Sequence, residues 1–134
     1  MAEAAVETAI LSTLAADAAV TRLLGGPNVF GRSVRGHDFP YVTLGRTAVV
    51  DWTCGHDNAA EDVLTLHVWT GGGGKAATFE IMDRLCEALH DKALPLADNG
   101  VVHLKLQFAE ARRQPEEPNY HGLLRFLAVR RPLA

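Results

Sequence analysis

The feature that most constrains the fold is a strict alternation of apolar and polar side chains. In residues 101–109 the apolar set is Val102, Leu104, Leu106 and Phe108, and the set between them is His103, Lys105 and Gln107. Residues 61–70 repeat the pattern, with Leu64, Leu66 and Val68 set against Thr65, His67 and Trp69. Successive side chains of a β-strand point to opposite faces of its sheet. The alternation therefore predicts strands that bury one face and leave the other more polar.

Two further segments complete two predicted hairpins. Residues 40–50 are rich in β-branched and aromatic side chains, which favour a strand. Residues 120–130 (YHGLLRFLAVR) follow the polar turn RRQPEEPN. We expect residues 40–50 to pair with residues 61–70 across the polar loop 51–60 (DWTCGHDNAA). We expect residues 101–109 to pair with residues 120–130 in a second long hairpin.

Two helices are predicted from apolar residues at helical spacing. In the Ala-rich residues 3–24, Val6, Ile10 and Leu14 recur every four positions, and Gly25-Gly26-Pro27 is a strong stop signal. Residues 75–91 carry a second apolar stripe, formed by Phe79, Met82, Cys86 and Leu89. Both segments have the periodicity of helices that cover a sheet on one side.

These elements define the predicted fold class. The chain is expected to form a single α+β domain over residues 1–134: an antiparallel β-sheet of about four strands, as two long hairpins, with two α-helices packed on one face. A short strand is expected near Val29 and Phe30, and another between the second helix and residue 101. The glycine run 71–74 is expected to be a loop.

Charge and composition exclude several classes of protein. The formal net charge is −3, from 16 acidic and 13 basic residues, so no strong global field recruits nucleic acid or an anionic membrane. The first 21 residues contain acids but no base, unlike the start of a secretory signal. No apolar run reaches the ~20 residues of a membrane span. Two cysteines are too few for a disulfide scaffold. We expect assembly in a cytosol and no membrane association.

The segment TGGGGKAATF at 70–79 superficially resembles a phosphate-binding loop. Such a loop needs the pattern G-x-x-x-x-G-K-[ST]. Here the position five before Gly74 is Trp69, and Ala76 follows Lys75, so both the first glycine and the magnesium-binding hydroxyl are missing. The interpretation is a strand-to-helix connection rather than a nucleotide site.

The possible metal ligands have the wrong spacing. Cys54 and His56 share one loop, and Cys86 and His90 are four residues apart on the second helix. Four such side chains could form a tetrahedral zinc site. Neither pair has the C-x₂₋₄-C spacing of a zinc knuckle, and Cys86 lies on an apolar stripe, where a cysteine is typical of a core.

No catalytic constellation is visible. The only serines are Ser12 and Ser33, and the nucleophile pattern G-x-S-x-G is absent. Cys54 and His56 are too unspecific as a nucleophile and base. The sequence therefore predicts a protein that is not an enzyme, with no catalytic, cofactor-binding or metal-binding residues. A small metal-dependent or nucleotide-dependent enzyme is the competing hypothesis from another class.

Arginines near the end of the chain raise the question of nucleic-acid binding. They are Arg112, Arg113, Arg125, Arg130 and Arg131. A local basic patch can bind nucleic acid even when the total charge is negative. The competing interpretation is the charged exposed face of an antiparallel sheet, where charges also prevent edge-to-edge aggregation.

The tips of the two hairpins are candidates for protein contacts. An exposed tryptophan among polar residues is a favourable anchor at an interface, although the indole of Trp52 could equally fold back over the sheet. We assign contact roles to residues near both tips: Asp51, Trp52, His56, Arg112, Arg113, Glu116 and Glu117.

Several segments, taken in order, resemble one protein family. They are LLGG at 23–26, FPYVTLG at 39–45, DVLTLHVWT at 62–70, LCEALHD at 85–91, PLADNGVVHLKLQFAEARR at 95–113 and HGLLRFLAV at 121–129. Together they resemble the phage tail-completion, or tail-terminator, family of tailed bacteriophages, prophages and gene transfer agents. The resemblance covers residues 5–130, whereas both hairpin tips look specific to this chain.

The resemblance implies a structural role without catalytic residues. It implies a subunit of a hexameric ring that ends the tail tube at its head-proximal end and joins it to the head connector. The expected partners are other copies of the chain, the tail tube protein and a connector or stopper protein, with DNA passing through the lumen without specific binding. The expected location is a virion or gene transfer agent particle. The alternative within the same particle is a head–tail connector or stopper.

Overall fold

The computed structural model describes residues 2–31, 38–51, 60–72, 75–97, 100–113 and 119–132. These residues form three helices and six strands. The helices are α1 (Ala2–Ala16), α2 (Ala18–Leu24) and α3 (Lys75–Leu89). The strands are β1 (Val29–Phe30), β2 (Tyr41–Asp51), β3 (Ala60–Thr70), β4 (Lys92–Pro95), β5 (Gly100–Arg113) and β6 (Tyr120–Pro132).

All six strands join one sheet in the order β1-β2-β3-β6-β5-β4. The two predicted hairpins are β2/β3 and β5/β6, and they lie side by side because β3 pairs with β6 from Ala60↔Arg130 to Thr70↔Tyr120. The predicted antiparallel sheet of about four strands with two helices is wrong. The sheet is mixed, since β1 runs parallel to β2, and β4 adds a further strand beside β5.

The predicted helix 3–24 is divided at Asp17. This residue has extended backbone angles (φ −81°, ψ 116°), and its Oδ1 accepts a hydrogen bond of 2.9 Å from the Val20 N–H. An aspartate in this position caps a new helix because it satisfies an N–H that has no partner within the helix. The predicted stop is confirmed: Gly25 ends α2 in the left-handed region, at φ 77°.

The core lies between the helices and one face of the sheet. Leu66 and Phe126 of the two central strands are at most 2 % exposed, as is Leu85 of α3. The other buried apolar residues of this layer include Val6, Ile10, Leu14, Leu24, Val42, Leu64, Val68, Leu89, Val102, Leu104, Leu124 and Ala128. We call this side of the sheet the covered face.

Helix α3 approaches β6 closely at Gly122. A Cβ atom added to Gly122 would lie 2.7 Å from the Met82 Sδ and 3.0 Å from the Thr78 Cγ2. Thr78 is also hydrogen-bonded to Thr70, with 2.7 Å between the two buried hydroxyl oxygens. The missing side chain at Gly122 and this hydroxyl pair fix where the start of α3 rests on the sheet.

A bulge in β5 changes the face of Phe108. The pairing with β6 steps from Leu106↔Phe126 to Phe108↔Arg125, so Gln107 is the extra residue. The alternation that grouped Phe108 with Leu104 and Leu106 is therefore broken, and that grouping is wrong. Phe108 is 42 % exposed on the side of Arg125, and Ala109 takes the place opposite the buried Leu124.

Candidate assembly surface

The second side of the sheet, opposite the helices, is the candidate functional surface. Residues paired across neighbouring strands share a face, so register identifies its members. We call this side the open face. On the two central strands it is formed by Val63, Thr65, His67 and Trp69 of β3, and by His121, Leu123, Arg125, Leu127 and Val129 of β6. All of these are half-buried except Thr65, which is buried by its neighbours.

A row of flat rings crosses one end of the open face. The centroids of Trp69 and His121 are 4.1 Å apart, and their planes differ by 9°. Tyr41 continues the row at 6.3 Å from Trp69, and Phe39 follows at 5.8 Å from Tyr41. Trp69 is fixed by its Nε1–H, which donates to the Thr43 Oγ1 at 3.2 Å. The rings therefore form one ordered surface that spans β2, β3 and β6.

Two histidines form the polar centre of this row. The His67 Nδ1 and the His121 Nε2 are 2.8 Å apart, a hydrogen-bond distance in which one ring donates and the other accepts. Burial lowers the pKa of His67. Burial also lowers the pKa of His121 to about 4, and His67 and Arg112 add to this shift. Both lowered pKa values favour the neutral form at pH 7, and two neutral rings can pair with one as the donor and the other as the acceptor.

The middle of the open face combines apolar and cationic groups. The Arg125 guanidinium carbon lies 5.2 Å from the centroid of Phe108, within the range of a cation–π interaction. Leu123 and Leu127 flank Arg125 on β6 and are half-buried within the single chain. A half-buried apolar surface around an arginine and several aromatic rings has the composition of a protein–protein interface core.

The two sets of predicted contact residues lie at opposite ends of the sheet. Asp51 is the last residue of β2 and pairs with Ala60. Arg113 is the last residue of β5 and pairs with Tyr120, at the other end of β6. The ends of the β2/β3 and β5/β6 hairpins are therefore separated by the length of β3, about 35 Å at ~3.3 Å per residue. Trp52, His56, Glu116 and Glu117 lie outside the described residues.

Arg112 and Arg113 point to opposite sides. Arg112 pairs with His121 on the open face, is exposed, and forms a salt bridge with Glu110. Arg113 is exposed on the other side of the strand. Arg130 also turns away from the open face, and its Nε is 4.0 Å from the buried Asp62 carboxylate. The arginines that the sequence places close together therefore do not form one basic patch.

The described histidine and cysteine side chains that are candidate metal ligands or nucleophiles by sequence have other roles. Within the described ranges, no three His, Cys, Asp or Glu side chains could hold a metal ion together. The His90 Nδ1 accepts a hydrogen bond of 2.9 Å from the Leu106 N–H, so this nitrogen supports the sheet. Burial raises the pKa of the Cys86 thiol, and Asp83 and Glu87 add to it, which makes the thiol less reactive. Cys54 and His56 are not among the described residues.

The ring row is the feature that sequence reasoning missed. The alternation in residues 61–70 placed His67 and Trp69 on the second face, and that prediction is confirmed by the register. Their partner His121 belongs to the other hairpin, and no local pattern relates the two hairpins to each other.

The described helices are too short or too polar to cross a membrane.

Comparison with known proteins identifies a protein family and several similar solved structures, two of which are described. The sequence model of the family Tail completion protein gp17 matches residues 8–131. A protein chain in the structure of the virion of a native gene transfer agent particle is similar at 26 % identity and a TM-score of 0.84, with 96 % of each chain covered. A second structure, at 11 % identity and a TM-score of 0.55, covers 96 % of this chain and 92 % of its own, and supports the fold alone. No curated protein sequence matches.

Proposed function

Because this chain belongs to the tail completion protein gp17 family, we propose that it forms a hexameric ring that ends the tail tube at its head-proximal end. The resemblance drawn from the sequence segments is confirmed by the family match over residues 8–131. The protein is a structural component of a phage or gene transfer agent tail, and its partners include other proteins of that tail. The observation that carries the proposal is this match over residues 8–131, together with the similarity to the gene transfer agent chain.

The open face supports a role in assembly. An interface core is enriched in aromatic side chains and arginine, and the open face offers Trp69, Tyr41 and Arg125 together. The covered face already stabilises the domain, so these side chains are available for contacts with other chains of the tail. Such contacts need shape and burial but no reactive group, and we propose that the protein acts without catalysis or cofactor.

The separation of the hairpin ends suits a ring with two different sides. A terminator has to match the end of a tube on one side and a connector or stopper protein on the other. We assign Asp51, Trp52 and His56 to one side of the ring, and Arg112, Arg113, Glu116 and Glu117 to the other. With the strands running along the ring axis, the two ends reach opposite sides about 35 Å apart. DNA passes through the lumen without specific binding.

The decisive experiment combines mass measurement with electron microscopy. The purified chain is examined by native mass spectrometry, alone and with the tail tube protein from the same particle. We expect a hexamer, either free or formed on tube ends, and tubes that stop growing when the chain is added. A chain that stays monomeric and leaves tube growth unchanged would overturn the proposal. Binding to the connector protein but not to tube ends would instead identify a head–tail connector or stopper.

A further inference from the structure

The outer strands of the sheet are short and leave most of their neighbours uncovered. β1 pairs with β2 only at Val42 and Thr43. β4 pairs with β5 only from Val101 to Leu104. Among the residues that the structure describes, no strand pairs with the outer side of β2 from Leu44 to Asp51.

The covered part of β5 ends just after β4. The Leu104 carbonyl accepts a hydrogen bond of 2.7 Å from the Asp91 N–H, and the Leu106 N–H donates to His90 at 2.9 Å. From Gln107 to Arg113, no described strand lies on the outer side of β5. A long strand edge with unpaired N–H and C=O groups favours pairing with another chain.

The two uncovered stretches lie at diagonally opposite corners. The sheet is antiparallel from β2 through β3 and β6 to β5, so β2 and β5 run in opposite directions. Their carboxyl-terminal halves, which are the uncovered ones, therefore lie at opposite ends of the sheet. Each lateral edge of the sheet therefore has a short outer strand over one half of its neighbour and no strand over the other half. β1 occupies one corner of the sheet and β4 the diagonally opposite corner. We call the uncovered half of each edge a step.

We propose that these two steps fit each other in neighbouring copies of the chain. With two copies side by side, β4 of one fills the step beside β2 of the next. At the same time β1 of the second copy fills the step beside β5 of the first. β4 then pairs with β2 in parallel, and β1 pairs with β5 antiparallel. The contact is heterologous, so repeating it about a six-fold axis would close a ring with a continuous sheet. This inference deepens the proposed function and rests on it.

The backbone of β4 defines what it offers to the next copy. The Leu96 N–H donates to the Gly100 carbonyl at 2.8 Å, so the backbone groups of Leu96 point towards β5. Backbone N–H and C=O groups alternate in direction along a strand, so those of Ala93 and Pro95 point away from β5. Proline has no N–H. β4 therefore presents one outward donor, the N–H of Ala93, together with the carbonyls of Ala93 and Pro95.

The proposal is tested by removing that single donor. Ala93 is exposed, and its N–H faces away from β5, so Ala93→Pro should leave the chain folded, as proline is tolerated on the outer side of an edge strand. We expect Ala93→Pro to lose the hexamer at protein concentrations at which the wild type is hexameric. Ala93→Val, which keeps the N–H, should retain it. Circular dichroism and thermal melting verify that both variants are folded.

Cross-linking provides an independent measurement. With Cys54 and Cys86 replaced by Ser, Ala93→Cys combined with Ala48→Cys should give a bismaleimide ladder up to the hexamer. Ala93→Cys combined with Ala111→Cys should not, because both residues belong to the β4/β5 edge and do not face each other across the proposed contact. If Ala93→Pro remains hexameric and the variant with Ala93→Cys and Ala48→Cys gives no ladder, the edge pairing is overturned while the ring remains. A wild-type chain that never becomes hexameric would overturn the ring itself.

Discussion

The two faces of the sheet differ in how their apolar side chains are covered within one chain. Leu104 on the covered face is fully buried beneath the helices, whereas Leu127 on the open face is only half-buried, although their strands are neighbours. The same strands therefore stabilise the domain on one side and remain available for contacts on the other. This division is expected for a subunit that folds first and assembles afterwards.

The largest effect should come from the covered face. Leu104→Ala removes buried methyl groups and leaves a cavity under the helices, which should lower the free energy of unfolding by about 2–5 kcal/mol. Leu127→Ala, the matched change on the open face, should cost less than half as much in the isolated chain. Urea denaturation of both variants measures the difference. Equal losses would show that the two faces are equally important for stability.

Adding a methyl group at one glycine on each face tests the same comparison between the covered and the open face. Gly122→Ala places a Cβ atom 2.7 Å from the Met82 Sδ under α3, and should lower the free energy of unfolding by about 1–3 kcal/mol. Gly45, which shares the open face with Thr65, has no atom within 4 Å of such a Cβ. Gly45→Ala should therefore be neutral or stabilise by up to about 1 kcal/mol. Thermal melting distinguishes the two, and a destabilised Gly45→Ala would contradict an uncovered surface at Gly45.

The His67–His121 pair on the open face predicts that the stability of the folded chain depends on pH. The pKa of His121 is lowered to about 4 in the folded chain from its ordinary value of 6.5, so between these values the unfolded chain binds the additional proton. The stability supplied by the neutral pair is thus present above pH 6.5 and is lost as the pH falls towards 4. The lowered pKa of His67 acts in the same direction.

Urea denaturation at pH 7.0, 5.5 and 4.5 measures this dependence. Carboxylates elsewhere also titrate in acid, so the informative quantity is the difference between the wild type and His121→Phe. The variant should lose less stability than the wild type over this range. Identical pH profiles would show that the histidine pair is uncoupled from folding.

The smallest effect on folding is expected for Arg112. The Arg112–Glu110 pair is exposed, so Arg112→Glu should change the free energy of unfolding by only about 0.5 kcal/mol. The same change should weaken association with a ring or tube partner, because Arg112 lies at the end of the open face. Arg84→Glu, which alters the exposed Arg84–Glu87 pair of α3, is the matched control and should leave association unchanged. Native mass spectrometry quantifies association, and equal behaviour of the two variants would contradict a contact role for Arg112.

The sequence predicted what depends on local periodicity. Both hairpins, α3 and the stop at Gly25 follow from patterns within a few residues of one another. Short strands were expected at the positions of β1 and β4, but neither is long enough to show which strand it pairs with or in which direction. The bulge at Gln107 interrupts an alternation that otherwise looks regular. The division of the first helix depends on Asp17, a single capping residue inside an otherwise continuous apolar periodicity.

The site was less predictable than the fold. The ring row needs His121 beside Trp69, and this depends on the pairing of β3 with β6, two strands separated by α3, β4 and β5. The pattern of each hairpin predicts contact residues for that hairpin alone. Only the three-dimensional register shows that they form two groups at opposite ends of the sheet.

The stacking of Trp69 on His121 also provides an optical probe. The chain has only two tryptophans, Trp52 in the first hairpin loop and Trp69 in the ring row. In Trp52→Phe, the intrinsic fluorescence would come from Trp69 alone, 4.1 Å from an imidazole ring. Emission from this single indole would then follow the docking of neighbours and the protonation of His121 in real time, without an attached dye.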